Sequence, residues 1–172
     1  MCIVIDMNTL PSLFKKTSLE HEEFKPVRDW ILEGKGKVVF GGSTYIKELS
    51  RTSYLRIFRL LIDVRKAVVL PKGEVDNIEK EIIESREDDD FDDAHLMAIF
   101  IQSDCKLLCS KDARSYKYLK DSSMYPRGRR KPKIYSRRRN ADLLTDRNIA
   151  SICLPCIVLS KDEQVSVCSR IS

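Results

Sequence analysis

The sequence predicts an α/β fold, a three-layer α/β/α sandwich around a central, mainly parallel sheet. Short apolar runs such as CIVI and KVVF alternate with longer stretches of helical spacing. The run CIVI is apolar throughout, which is typical of a strand buried on both faces. A chain of 172 residues with 42% hydrophobic residues has room for one sizeable core but not for two comfortable domains.

The first half of the chain is predicted to contain two strands and a long helix. Cys2–Ile5 is the first strand, residues 10–32 are helical in pieces, and KVVF is the second strand. Ser43 or Thr44 can cap a helix that we expect to continue to residue 64.

The second half repeats the alternation. Ala67–Leu70 is either a strand or a connection, and helical patterns cover residues 74–87 and the segment DDAHLMAIFIQSD. KLLC and KIY are predicted to be strands, separated by a short helix and the loop MYPRGRRKP. We expect residues 1–147 to form the main domain and residues 148–172 to add a C-terminal strand and a mobile tail to it.

Charge is segregated along the chain, which carries a net charge of +5. Residues 74–93 are strongly acidic, whereas a basic segment follows at residues 127–139. Segregation on this scale suggests two tasks, holding a metal and gripping a polyanion such as nucleic acid. The basic residues are Arg127, Arg129, Arg130, Lys131, Lys133, Arg137, Arg138 and Arg139.

The hydropathy and the cysteines of the sequence indicate the cellular compartment that we expect for the protein. The sequence contains neither a secretory signal pattern nor an apolar stretch long enough to span a bilayer, so we expect a cytoplasmic protein without membrane contact. Its six cysteines then read mainly as small buried hydrophobic residues. Cys153 and Cys156 form a CxxC, but no second CxxC or histidine pair completes a zinc site, and strand packing is the favoured interpretation.

Four acidic positions lie at the ends of predicted elements or inside a predicted helix: Asp6, Glu48, Asp93 and Asp112. Buried carboxylates are unstable without a partner, so four that converge imply a bound cation. Mg²⁺ or Mn²⁺, as one or two ions, suits such oxygen ligands.

The motifs around these acids resemble the PIN domain ribonucleases. The resemblance is carried by IVIDMN, YIKELS, DAHLMAIF and LLCSKD, in that order and at matching spacing, and it covers about residues 1–144. Phe100 departs from the small residue common in the third motif, which bears on packing more than on chemistry.

By that resemblance, Asp6, Glu48, Asp93 and Asp112 are the catalytic, metal-binding residues. Asn8 and Ser110 match polar positions that hydrogen-bond these carboxylates or a metal-bound water. Asp92 is a further supporting residue, and Asp92 or Asp90 could replace Asp93 as the ligand. Glu48 either binds metal or orients water as a base.

The resemblance implies a Mg²⁺- or Mn²⁺-dependent endoribonuclease. The basic segment 127–139 would bind single-stranded RNA or a loop of structured RNA. Tyr125 and Tyr135 could stack on bases, although one of them could equally be a core residue. Stand-alone proteins of this family are often toxins held by a small antitoxin, and a homodimer is a further expectation.

Other interpretations stay open at this point. DMNTL faintly resembles the nucleophile motif of haloacid dehalogenase-like phosphatases, although Asn8 stands where their general acid would be. A catalytically silent RNA-binding or protein-interaction module of the same fold is the alternative from another class. Taken singly, Glu48 could be a solvated helix residue, and His95 reads as packing rather than catalysis.

Overall fold

The fold is an α/β/α sandwich around a five-stranded sheet, seen in a computed structural model that describes residues 2–85 and 91–171. Every strand pair is parallel, and the strand order is β3-β2-β1-β4-β5. The predicted fold class is therefore confirmed. The strands are β1 Cys2–Ile5, β2 Lys37–Gly41, β3 Ala67–Leu70, β4 Leu107–Cys109 and β5 Lys133–Tyr135.

Helices connect these strands. In chain order they are α1 Leu10–Phe14, α2 His21–Leu32, α3 Ser43–Ser50, α4 Leu55–Asp63, α5 Lys72–Glu84, α6 Ala94–Ser103, α7 Tyr116–Leu119 and α8 Lys161–Ile171. Short 3-10 turns occur at Met7–Thr9, Ser122–Met124, Arg138–Leu143, Asp146–Asn148 and Ser151–Cys153. None of the described helices is both long and apolar enough to cross a bilayer.

Strand β1 lies at the centre of the sheet and is fully buried. It pairs with β2 on one side, Ile3 opposite Val38, and with β4 on the other, Ile5 opposite Cys109. Its burial on both faces explains why CIVI carries no polar residue. Because all strands run the same way, whatever follows β1 and β4 lies at one edge of the sheet, the carboxyl edge.

Two helical layers cover the sheet. Helix α6 packs on β1, β2 and β3 and also against α3 and α5, while α2 packs against α1 and α8. The aromatic rings of Phe24 and Tyr135 lie 6.0 Å apart and join α2 to β5. Trp30 and Phe58 are buried in the core, and His21, which reads as a surface residue in the sequence, is buried with Nδ1 3.0 Å from the carbonyl of Ser12.

The long helix predicted from residue 43 to residue 64 is wrong, because the chain breaks between α3 and α4. Thr52 Oγ1 donates to the carbonyl of Leu49 across 2.8 Å and accepts from the N–H of Tyr54 across 3.2 Å. A threonine that bonds the local backbone in this way competes with the helical pattern.

The C-terminal strand predicted within residues 148–172 is also wrong. Cys153 lies in a 3-10 turn and Cys156 in the irregular segment after it, where Lys66 Nζ donates to the carbonyl of Ile157 across 2.9 Å instead of a strand partner. The tail predicted to be mobile is helix α8, whose Val167 and Ile171 are buried. The six cysteines are free thiols, four of them buried.

Candidate active site

Asp6 follows β1 at the carboxyl edge and is buried, with only 8% of the residue exposed. Oδ2 accepts hydrogen bonds from Ser110 Oγ and from Asn8 Nδ2, each across 2.6 Å, and Oδ1 accepts from the N–H of Asn8 across 3.3 Å. Burial raises the pKa of Asp6, while these hydrogen bonds act in the opposite direction. The carboxylate to which Asn8 and Ser110 donate is therefore that of Asp6.

Asp93 immediately precedes α6 and faces the same edge. Burial, followed by the negative charge of Asp6, raises the pKa of Asp93 to about 6. Its exposed neighbour Asp92 adds to the repulsion. The charge of Asp6 thus disfavours the ionised form of Asp93, and a bound cation would relieve that repulsion. Asp90 lies outside the described residues.

Glu48 reaches the site from α3, where it meets His95 of α6. His95 Nε2 lies 3.6 Å from Glu48 Oε2, the histidine is buried, and the Glu48 side chain is 41% exposed. A positive charge on His95 lowers the pKa of both Asp6 and Asp93. His95 Nδ1 has no hydrogen-bond partner within the described part of the chain.

Sequence reasoning missed the position of His95 at this site. The i, i+2 spacing from Asp93 suggests divergent side chains, and no pattern within either helix signals the contact between α3 and α6. Tyr45 is a further missed residue. Its hydroxyl donates to the carbonyl of Ile5 across 2.6 Å, which ties the first turn of α3 to the end of β1 and so aims Glu48.

Asp112 lies beside the pair but makes its own ion pair. The Arg114 side chain donates to it twice, from Nε across 3.1 Å and from Nη2 across 2.8 Å, and these contacts lower the pKa of Asp112. Its N–H donates to Ser110 Oγ across 3.1 Å, which connects it to Asp6 through one hydroxyl. Arg114 is a third residue whose part in the site sequence reasoning missed.

Only some of the four predicted acidic ligands are placed so that they could bind a divalent cation. Asp6 and Asp93 offer hard oxygen ligands with raised pKa values, which suits Mg²⁺ or Mn²⁺. Within residues 2–85 and 91–171, however, no three histidine, cysteine, aspartate or glutamate side chains are grouped so as to hold a metal ion as they stand. The two outer carboxylates, Glu48 and Asp112, instead contact His95 and Arg114.

Sheet topology divides the predicted RNA-binding segment into two groups. Arg127, Arg129, Arg130 and Lys131 precede β5, and Lys133 begins it, so these residues lie at the amino edge, opposite Asp6. Arg137, Arg138 and Arg139 follow β5 and lie at the carboxyl edge. All eight side chains are exposed.

The expected base stacking by two tyrosines is wrong. Tyr125 is 8% exposed and donates its hydroxyl to the carbonyl of Leu119 across 2.8 Å. Tyr135 is fully buried and donates to the carbonyl of Glu23 across 2.9 Å. Both rings are part of the packed interior, so neither offers a face to a base.

Comparison of the chain with protein-family models, with curated proteins and with solved structures finds no match in any of the three. The likeness to the PIN domain ribonucleases therefore rests on the four motifs and their order.

Proposed function

We propose that the protein is a metal-dependent endoribonuclease with its active site at the carboxyl edge of the sheet. The observation that carries the proposal is the pair Asp6 and Asp93, a buried and a half-buried carboxylate with raised pKa values at the carboxyl edge, where the charge of Asp6 adds to the rise in the pKa of Asp93. Burial and repulsion disfavour the ionised form of such carboxylates, and this perturbation is more often found at functional sites. Metal-assisted hydrolysis would use both carboxylates as ligands of the ion.

In this proposal Asp6 and Asp93 hold Mg²⁺ or Mn²⁺. When bound, the ion polarises the scissile phosphate and lowers the pKa of a coordinated water. Asn8 and Ser110 fix the orientation of the Asp6 carboxylate. Asp112 remains a proposed ligand, which would have to release Arg114 to bind the ion.

Glu48 and His95 form the second functional contact of the site. The Glu48 carboxylate is the more exposed of the two groups and can accept a proton from an attacking water. His95 is buried, so it fixes the Glu48 side chain from the protein side and moderates the repulsion between the two aspartates. We assign His95 a positioning role and not a catalytic one.

RNA is the proposed substrate, as a single strand or as a loop of structured RNA. Arg137, Arg138 and Arg139 lie at the same edge as the acids, and guanidinium groups bind phosphates in a bidentate manner. The exposed Arg114 guanidinium beside Asp112 is a further candidate for the scissile phosphate.

The proposal is tested by incubating labelled RNA with Mn²⁺ or Mg²⁺. Wild type is compared with Asp6→Asn and Asp93→Asn, and with the control Asp63→Asn, which removes an exposed carboxylate on α4. Loss of cleavage of about a hundredfold or more is expected for the two site variants and none for the control. Cleavage that survives both substitutions, or that is indifferent to EDTA, contradicts the proposal. RNA binding without any cleavage would identify a silent RNA-binding module.

The biological setting is part of the proposal. We infer a cytoplasmic enzyme, a homodimer, and a small antitoxin-like protein that suppresses it. Co-purification with a short protein that inhibits cleavage would support this setting, and harmless strong expression of the chain alone would count against it. Light scattering of the purified chain tests the dimer.

A further inference from the structure

A pocket of about 680 Å³ lies next to the start of β5 and is lined mainly by cations. The polar side chains around it are Lys120, Ser122, Arg129, Arg130, Lys131 and Lys133. A cavity with five cationic side chains and no acidic one in its lining is suited to a ligand with several negative charges.

The pocket and the acidic site lie at opposite edges of the sheet. Lys133, where β5 begins, pairs with Leu107, where β4 begins, and Arg129 Nη1 lies 3.5 Å from Oδ1 of Asp104, which precedes β4. Asp6 and Ser110 instead follow the ends of β1 and β4. Strands of three residues separate the two edges by about 10 Å of strand, so the loops beyond them are farther apart still.

Carboxylates neutralise little of this charge. Among the described residues, Arg129 alone of the lining cations has a carboxylate within 4.0 Å, and that pair is well exposed, at 42% for Arg129 and 38% for Asp104. Lys120 Nζ lies 5.7 Å from the centroid of the Tyr116 ring, and Lys133 Nζ donates to Asn148 Oδ1 across 3.3 Å. The pocket thus keeps most of its positive charge for an external anion.

The loop that carries these cations has a defined turn. The N–H of Arg129 donates to the carbonyl of Pro126 across 3.0 Å, and Gly128 adopts φ +86°, the left-handed value required at the third residue of a type II turn. A Cβ at Gly128 would meet no atom within 4 Å, so the backbone angle and not crowding favours glycine there. The turn directs Arg129, Arg130 and Lys131 toward the pocket that they line.

We propose that this pocket is an exosite that binds the phosphodiester backbone of a single-stranded nucleic acid, apart from the acidic site. The choice of RNA as the natural strand rests on the proposed ribonuclease function. A strand held in the pocket reaches Asp6 by passing the length of β5 toward Arg137 and Arg138. Long strands therefore contact both edges, whereas very short ones contact only one.

The exosite is tested by fluorescence anisotropy in EDTA, with labelled single-stranded RNA of about 4 and about 16 nucleotides. The variant Arg130→Glu/Lys131→Glu is compared with Lys35→Glu/Arg59→Glu, which makes the same change in net charge at exposed positions on the β2 and β3 side of the sheet. Circular dichroism and thermal unfolding confirm that both variants fold, and Arg130→Gln/Lys131→Gln provides a milder second variant.

The pocket variant is expected to bind the long RNA at least about tenfold more weakly than the control variant does. Its affinity for single-stranded DNA of the same sequence should fall by the same factor. Its salt slope, measured between about 50 and about 200 mM, should fall by about 1.4, since each single-strand phosphate contact contributes about 0.7. The short RNA should be affected far less. Equal affinities and slopes for the pocket and control variants would overturn the exosite.

The experiment distinguishes failure of the exosite proposal from failure of the ribonuclease proposal. If wild type cleaves nothing with Mn²⁺ while the pocket variant loses binding, the exosite stands and the ribonuclease proposal falls. If wild type cleaves and the pocket variant binds like the control, the exosite falls alone. Asp93→Asn should bind the long RNA at least as tightly as wild type, because it removes a negative charge at the other edge.

Discussion

The hydroxyl of Ser110 donates a 2.6 Å hydrogen bond to Asp6 Oδ2 and accepts one of 3.1 Å from the N–H of Asp112. A single side chain at the end of β4 therefore orients the carboxylate that follows β1 and fixes the backbone of the next acid. Ser110 is fully buried, which makes these bonds costly to lose.

Ser110→Ala is expected to raise the pKa of Asp6 further, because the bond from Ser110 is the largest influence that opposes burial there. The free energy of unfolding should fall by about 1–3 kcal/mol, since the Asp112 N–H also loses its acceptor. An NMR pH titration of Asp6 and urea unfolding measure the two effects. Ser50→Ala, which removes an exposed hydroxyl bonded to the Lys47 carbonyl, is the control. An Asp6 pKa equal to that of wild type would contradict the prediction.

Asp93 makes stability depend on pH in the metal-free protein. Its pKa is about 6 in the fold against 3.8 for the free side chain, so the folded state binds the proton more tightly than the unfolded chain. The contribution of Asp93 to the free energy of unfolding therefore falls as pH rises from about 3.8 to about 6, and it stays lowered above that.

Asp93→Asn removes that penalty. In EDTA the variant should be more stable than wild type at about pH 7, and the difference should shrink as pH falls from about 6 to about 3.8. Saturating Mn²⁺ should reverse the order, because the ion binds the ionised carboxylate of wild type. Urea unfolding across pH measures this, with Asp63→Asn as the exposed control. A constant difference at all pH values would show that Asp93 is not the titrating group.

His95→Phe keeps a ring in the core but removes the imidazole, whose positive charge in the protonated form lowers the pKa of Asp6 and Asp93. Both pKa values should therefore rise, and the pH at which cleavage is half-maximal should rise with them. The contact with Glu48 is lost as well, so kcat should fall about tenfold or more even at the new optimum.

A pH–rate profile and an NMR titration of Asp93 check the His95 prediction. His21→Phe is the matched control, because His21 is also buried but contacts the carbonyl of Ser12. If His95→Phe lowers the rate of cleavage but leaves its pH dependence unchanged, His95 acts only as a packing residue.

The central strands could be predicted from the sequence because their burial leaves a continuous apolar run. Cys2–Ile5 and the strand that begins at Lys37 read correctly for that reason. The run ICLPCIVL looks the same but forms no strand, since its backbone is held by Lys66, a buried side chain from another part of the chain. Apolar content alone does not distinguish a strand from a packed irregular segment.

Only those parts of the site that depend on a single strand or helix could be predicted from the sequence. Asp6 could be placed at the carboxyl edge because it ends a strand. The contact between Glu48 and His95 joins two helices, and the pairing of Asp112 with Arg114 depends on the turn after β4, so neither follows from spacing. The division of residues 127–139 between two edges requires the strand order, which hydropathy does not specify.

Arg114 offers a direct test of whether Asp112 binds metal. Its guanidinium occupies both Asp112 oxygens, so a metal ion that uses Asp112 must displace it. Arg114→Ala should therefore tighten Mn²⁺ binding, by about fivefold or less because the Arg114 side chain is 86% exposed and exposed ion pairs are weak. Calorimetric titration with Mn²⁺ measures the change.

A double-mutant cycle separates this displacement from the general loss of a positive charge near the site. In the Asp112→Asn background, Arg114→Ala should have a smaller effect on Mn²⁺ affinity than it has in wild type, since the ion pair is already absent. Arg114→Lys, which keeps the charge but cannot make the bidentate contact, should lie between wild type and Arg114→Ala. Equal effects in the two backgrounds would remove Asp112 from the set of ligands and leave Asp6 and Asp93 as the carboxylates that hold the ion.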